Sequence, residues 1–154
     1  MHWKRRVQVA VLAATGFCIA GYLAGYQAGF FREAWEPFFG DGTTRVLHSF
    51  VAAMLPVPDA ALGAIGYAIE FVATLAGTAE RWHSRPKLVL VYGVIVAGMG
   101  MAGLTLVGVQ AFVLHAFCTL CLVSAIISIL IVFLARDEVL ASYKVLYGER
   151  NSRR

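Results

Sequence analysis

The sequence predicts an all-α integral membrane protein. The expected architecture is a four-helix bundle with a short amphipathic helix capping its outer end and an amphipathic cytoplasmic tail. Three observations predict it. Of 154 residues, 60% are hydrophobic and 14% charged, where a soluble domain carries roughly a quarter charged. A soluble fold of this size cannot cover that much apolar surface. Apolar runs approach or exceed the roughly 20 residues of a membrane crossing, and basic residues gather between those runs. The net charge of +4 is small, and no basic patch is interleaved with aromatics. It therefore reads as topology information and excludes a nucleic-acid partner.

The first span is expected over about 7–31. Its N-terminal part looks like a signal peptide, but the apolar run is too long for an h-region and no small-residue cleavage site interrupts it cleanly. A retained helix that also directs insertion is predicted. In TTRVLHSFVAAMLP, Val46, Leu47, Phe50, Val51, Met54 and Leu55 follow amphipathic helical spacing. Thr43 or Thr44 can cap this segment's start, and Pro56 ends it. At 43–55 it is too short to span and should lie over the outer mouth of the bundle. Asp59 is expected to cap a second span at about 60–77. The run from Leu88 to Leu134 is about twice one crossing, so it must turn back. Its strongly polar residues, Gln110 and His115, put the turn between them and the spans at about 88–109 and 115–134. In the tail, 136–154, residues Val139, Leu140, Tyr143, Leu146 and Tyr147 suggest a separate interfacial helix ending near Gly148. The chain reads as a single membrane domain, 1–154.

Four crossings put both termini on one side. Eleven of the thirteen Lys and Arg residues then share a compartment, with Arg32 and Arg45 on the other side. The positive-inside rule makes that compartment the cytoplasm. A bacterial inner membrane is expected, with Trp3 and Trp82 at its inner interface and Trp35, Phe38 and Phe39 at its outer one.

Chemistry concentrates at Cys118 and Cys121. An odd count of three cysteines with one close pair excludes a disulfide scaffold. In the first turns of the fourth span, three residues apart, the pair shares a face. Exposed amides there favour a thiolate, and the outer compartment is oxidising. Reversible disulfide formation fits. A zinc site completed by His115 and His48, or simple helix packing, are the alternatives. His115, Cys118, Cys121, Ser124 and Ser128 form a polar stripe, either packing or a pocket wall. Gly21, Gly25 and Gly29 suggest close helix contact. Span three is also glycine-rich, with packing the expected role. Glu70, a carboxylate inside a span, is a functional suspect unless it reaches interfacial water. Cys18 reads as inert.

A four-helix membrane protein with FCTLCLVSA at the outer end of its last helix resembles the vitamin K epoxide reductase family, which includes bacterial homologues that oxidise protein thiols at the expense of quinone. FFGDGTTRVLHSFVAAMLPVPDAALGAIGYAIEF resembles the family's loop, capping helix and start of the second span, with Ser49 matching its capping-helix serine. The resemblance covers about Val7 to Leu134. One departure stands out. Typical members relay electrons through a second cysteine pair in the outer loop. The corresponding positions here, near Thr43 and at Trp35 to Pro37, hold no cysteine.

The resemblance implies a membrane thiol–disulfide oxidoreductase coupled to a lipid quinone, ubiquinone or menaquinone, and supporting extracytoplasmic thiol oxidation. Cys121 would face the quinone, and Cys118 would exchange with a thiol donor, such as an extracytoplasmic thioredoxin-like protein. Ser49 would offer a hydrogen bond, while Phe50, Met54 and Phe117 would line the ring and tail. The alternative is a quinone-binding or structural membrane subunit that keeps the fold without catalysis.

Overall fold

The computed structural model describes residues 3–54, 56–76 and 81–152. Among the described residues every regular element is helical. In order they are α1 (Trp3–Gln27), α2 (Gly42–Leu47), α3 (Phe50–Ala53), α4 (Asp59–Leu75), α5 (Arg81–Ser84), α6 (Pro86–Val109), a π-helical turn (Gln110–Leu114) and α7 (Thr119–Ser152). Leu55 and Gly77, at the ends of the predicted capping segment and second span, lie outside the described residues. So does the side chain of Trp82.

Among the described residues three stretches are long and apolar enough to cross a membrane: Trp3–Gln27, Pro86–Leu114 and Thr119–Tyr147. At 17 residues, α4 rises about 26 Å, a little under the roughly 30 Å hydrocarbon core. Helix α1 packs on α4 and α7; α6 packs on α7 and more lightly on α4. Their shared core holds Val9, Ala13, Tyr67, Tyr92, Val96 and Ile131.

The first helix stops at Gln27 and not at Phe31, the predicted limit. Gly29 has φ +83°, Phe30 N–H donates to Gly25 O at 2.9 Å and Gly29 N–H to Tyr26 O at 3.0 Å. This is a Schellman closure, which an L side chain at position 29 would strain. Within the chain, the glycine stripe read from the sequence makes no helix contact among the described residues. A Cβ at Gly21 would meet nothing within 4 Å, and one at Gly25 would meet only the Phe31 ring. The close approach is at Gly16 instead, where a Cβ would lie 2.5 Å from the Tyr67 ring. Three glycines of α6 do admit neighbours, with Val139 against Gly93, Val132 against Gly100 and Ala125 against Gly103.

The predicted capping helix is broken in two. Ser49 takes an extended conformation and caps α3 by accepting from Ala52 N–H at 3.3 Å. Such local side-chain bonding competes with helix continuation. Neither Thr43 nor Thr44 is the cap of α2, whose preceding residue is Asp41. Asp59 is the first residue of α4 and not its cap; its carboxylate accepts from Gln27 Nε2 at 2.6 Å.

The last helix begins at Thr119, four residues later than predicted, because residues 115–118 form an irregular return between the π-turn and α7. His115 closes that turn in the left-handed region at φ 46°. The predicted break near Arg136 is absent, and α7 continues through the tail. The segment LARDEVLASYK holds good helix formers and neither Gly nor Pro. Ala135, Glu138 and Ser142 are buried, and Arg5 pairs with Asp137.

Candidate active site

Cys118 and Cys121 form a disulfide, with Cα atoms 5.2 Å apart. Cys118 sits just before α7, and Cys121 is in its first turn. Two bonds hold the Cys118 backbone and sulfur: its N–H donates to Gln110 Oε1 at 3.0 Å, and its Sγ accepts from Cys121 N–H at 3.2 Å. Gln110 is itself buried, and its own carbonyl accepts from Ala116 N–H at 3.2 Å. Gln110, one of the two polar residues that mark the turn, thus fixes the chain leading into the dithiol.

The two sulfurs face different surroundings. Cys118 is 0% exposed, packed in a cluster with Leu23, Tyr26, Val46, Leu47 and Ala116. Cys121 lines a cavity of about 400 Å³ between α1, α4, α6 and α7, with Tyr67, Met99, Gly103, Ser124 and Ser128 also in its wall. That size falls within the range of small-molecule sites, which are mostly apolar with a few convergent polar groups. The polar residues here are Asp59, Thr105 and a hydroxyl cluster. Tyr67 OH donates to Ser124 O at 2.6 Å, and lies 2.9 Å from Ser124 Oγ and 2.8 Å from Ser128 Oγ.

The segment 32–47 closes over Cys118. Gly42 packs so tightly that a Cβ there would stand 2.0 Å from Phe117 O. Phe39 and Phe117 rings meet at 5.5 Å. Tyr26 OH contacts Thr44 Oγ1 at 2.9 Å, and Gln27 Nε2 donates to Leu47 O at 3.1 Å. At the edge sits Glu36. Its carboxylate accepts from Thr119 N–H at 2.8 Å and from Thr43 Oγ1 at 2.6 Å, and also from the Thr119 hydroxyl. It therefore caps α7 from another part of the chain, where the helix dipole favours a negative charge. Partial burial is the largest single influence and pushes its carboxyl up. The hydrogen bonds from Thr119, Thr43 and Phe38 together outweigh it and hold Glu36 below the usual carboxylate range.

The structure brings Cys118, Cys121, Ser124 and Ser128 together at one end of α7. The expected lining residues Ser49, Phe50, Met54 and Phe117 are not in the wall of the Cys121 cavity. Ser49 is used as the α3 cap. Phe50 and Met54 are 65% and 77% exposed, and α3 buries none of its residues. Phe117 is occupied by Phe39. His115 is exposed at the turn, and Cys18 is exposed on α1. Three residues were given no part in the site by the sequence reading, although Gln110 was read as marking the turn. Tyr67 could have been found as a polar position on the Glu70 face of α4, and Gln110 from its isolation in an apolar run. Nothing in the spacing around Glu36 points to Thr119, 83 residues away.

The sequence model of the vitamin K epoxide reductase family matches residues 7–136, a stretch that contains the cavity, the disulfide and the segment over it. No curated protein matches the chain.

Proposed function

The chain belongs to the vitamin K epoxide reductase family, and from that premise we propose that it is a quinone-linked thiol oxidoreductase of a bacterial inner membrane. In this reading α1, α4, α6 and α7 are the four crossings of one membrane domain. Both termini are cytoplasmic, and the dithiol lies at the outer end. Membership implies membrane thiol–disulfide chemistry with quinone. The assignment to these residues rests on one observation: a redox-competent cysteine pair of which only Cys121 opens on an apolar, ring-sized cavity carrying hydroxyl donors.

Quinone fits that cavity by size, by lining and by the presence of donors for a carbonyl oxygen. When bound it supplies a two-electron oxidant: the dithiol becomes the disulfide, the quinone becomes the quinol, and the two hydrogens balance. Tyr67, Ser124 and Ser128 orient it, taking the role the sequence reading gave to Ser49. Met99, Gly103 and neighbouring apolar side chains exclude water. Cys121 presents its sulfur to the cavity, and Cys118 is the exchange partner. A donor thiolate attacks Cys118 Sγ, the S–S bond breaks, and Cys121 leaves as the thiolate. A second thiolate, from the same protein donor or from another small-thiol molecule, then attacks the donor sulfur of the mixed disulfide, and Cys118 leaves as the thiolate. Without loop cysteines the donor, a thioredoxin-like protein or a small thiol, meets Cys118 directly. That requires the segment 32–47 to open.

Filling the cavity tests this. Gly63→Phe places a ring in the cavity wall from a position where a Cβ would meet Ala20 Cβ at an ordinary 3.7 Å. Oxidation of the Cys118/Cys121 dithiol by added quinone should slow at least tenfold, while oxidation by a water-soluble diazene oxidant stays as in the parent chain. Equal quinone rates in both proteins overturn the cavity assignment. A dithiol indifferent to quinone in the parent chain favours the non-catalytic subunit.

A further inference from the structure

Helix α4 buries one stripe: Ala64, Tyr67, Glu70 and Thr74. Three of the four are polar, an unusual content for the face of a helix turned into an apolar bundle. At one end, Tyr67 OH joins Ser124 and Ser128 in the wall of the cavity. At the other, Thr74 Oγ1 donates to Tyr92 OH at 3.2 Å. Arg6, itself buried, donates to Thr74 O at 2.6 Å and to Ala76 O at 3.1 Å. Tyr67 and Thr74 are seven residues apart, about 10 Å along the axis. Glu70 lies between them, one helical turn from each. It is 0% exposed, and among the described residues neither carboxyl oxygen has a hydrogen-bond partner.

Burying a carboxyl without partners costs stability that an apolar side chain would not. Packing alone gives no reason for Glu70. We infer that Tyr67, Glu70, Thr74 and Tyr92 form a proton file connecting the end of the bundle distal to the dithiol with the quinone cavity, and that Glu70 is its exchangeable carboxyl. The inference rests on the quinone reading above. Each hydroxyl in the file can donate and accept at once. A glutamate side chain reaches residues one turn away in either direction on its helix. Glu70 thus takes a proton from the Thr74–Tyr92 side and delivers it to the Tyr67 hydroxyl. The groups bonded at the distal end are Arg6 from α1 and Tyr92 from α6; α7 also buries Glu138 and Ser142.

The balance is closed. Dithiol plus quinone plus two protons from the distal side gives disulfide plus quinol plus two protons released at the dithiol side. The electrons come from Cys118 and Cys121; the protons on the quinol come through Glu70. Thiol oxidation would then move charge across the membrane, a further activity of the same site.

The test uses the full chain in vesicles with pH dyes on both sides. A short-chain quinone is added, and the disulfide formed is counted in the same sample. Two protons should disappear from the distal side per disulfide. Glu70→Gln should abolish that uptake, and Glu70→Asp should restore part of it. A disulfide that forms with no distal uptake in the parent chain, or with equal uptake in Glu70→Gln, overturns the proton file and leaves the quinone reading standing. A dithiol that quinone does not oxidise removes both. A second readout needs no quinone: the infrared spectrum of the chain on exchange into deuterated buffer. A carboxyl band that is missing in Glu70→Gln should shift on deuteration. A Glu70 band that never shifts overturns the file.

Discussion

Replacing Glu36 with alanine removes the carboxylate that ties the segment over Cys118 to the start of α7. The Thr119 N–H then loses its acceptor at 2.8 Å and Thr43 Oγ1 its partner at 2.6 Å. A lost N-terminal cap costs about 0.5–2 kcal/mol, and a further neutral hydrogen bond about 1 kcal/mol. Taking about 2 kcal/mol together, the open population of the segment rises about 30-fold, at 1.4 kcal/mol per factor of ten. Cys118 is 0% exposed in the closed form, so its reaction with a water-soluble reagent reports that population. In a Cys18→Ser, Cys121→Ser background Cys118 is the single thiol. Its labelling rate with a charged maleimide should rise ten- to a hundredfold on Glu36→Ala. Glu36→Gln, which keeps one acceptor oxygen, should fall between. An unchanged rate in Glu36→Ala would refute the latch and require another route to Cys118.

The same carboxylate sets a pH window. Its folded-state value lies below the usual range, so its stabilisation is fully present above the unfolded value of about 4.3 and fades as pH falls through the folded value. Cys118 labelling by an acid-tolerant dithiodipyridine, referenced to Glu36→Gln, should be flat from about pH 8 to 5 and climb below about 4. Gln110→Leu strands the Cys118 N–H now bonded at 3.0 Å; thermal unfolding should show a loss of about 1–3 kcal/mol, and Gln110→Glu should lose less. Gly16→Ala drives a methyl to 2.5 Å from the Tyr67 ring. Overpacking of about 1–3 kcal/mol should accompany a higher KM for quinone, because the ring that moves carries the cavity's hydroxyl cluster.

Much of the fold was legible because a bilayer leaves few choices. Backbone groups in lipid must be paired within helices, so apolar runs give the helices and Gln110 with His115 gives the turn. The ends were less legible, and each for a local reason. Gly29 reads as part of a small-residue stripe until its positive φ shows it to be a helix terminator. Ser49 splits one amphipathic pattern into two short helices, a choice between cap and continuation that spacing does not decide. The tail seemed separate because its charges begin at Arg136, yet Glu138 and Ser142 turn inward and keep α7 whole. At the site, the cysteine pair announced itself by spacing. Its environment did not. That Cys121 faces a cavity and Cys118 a lid depends on Tyr67 and Glu36, which meet α7 across 57 and 83 residues of sequence.

The most direct measurement is the thiol state of Cys118 and Cys121 in the intact chain, reduced, freed of reductant, and assayed by alkylation mass shift with and without oxidised quinone. The account predicts conversion of both thiols to the disulfide in step with quinol formation, one for one. Two thiols that stay alkylatable in the presence of excess quinone would contradict it.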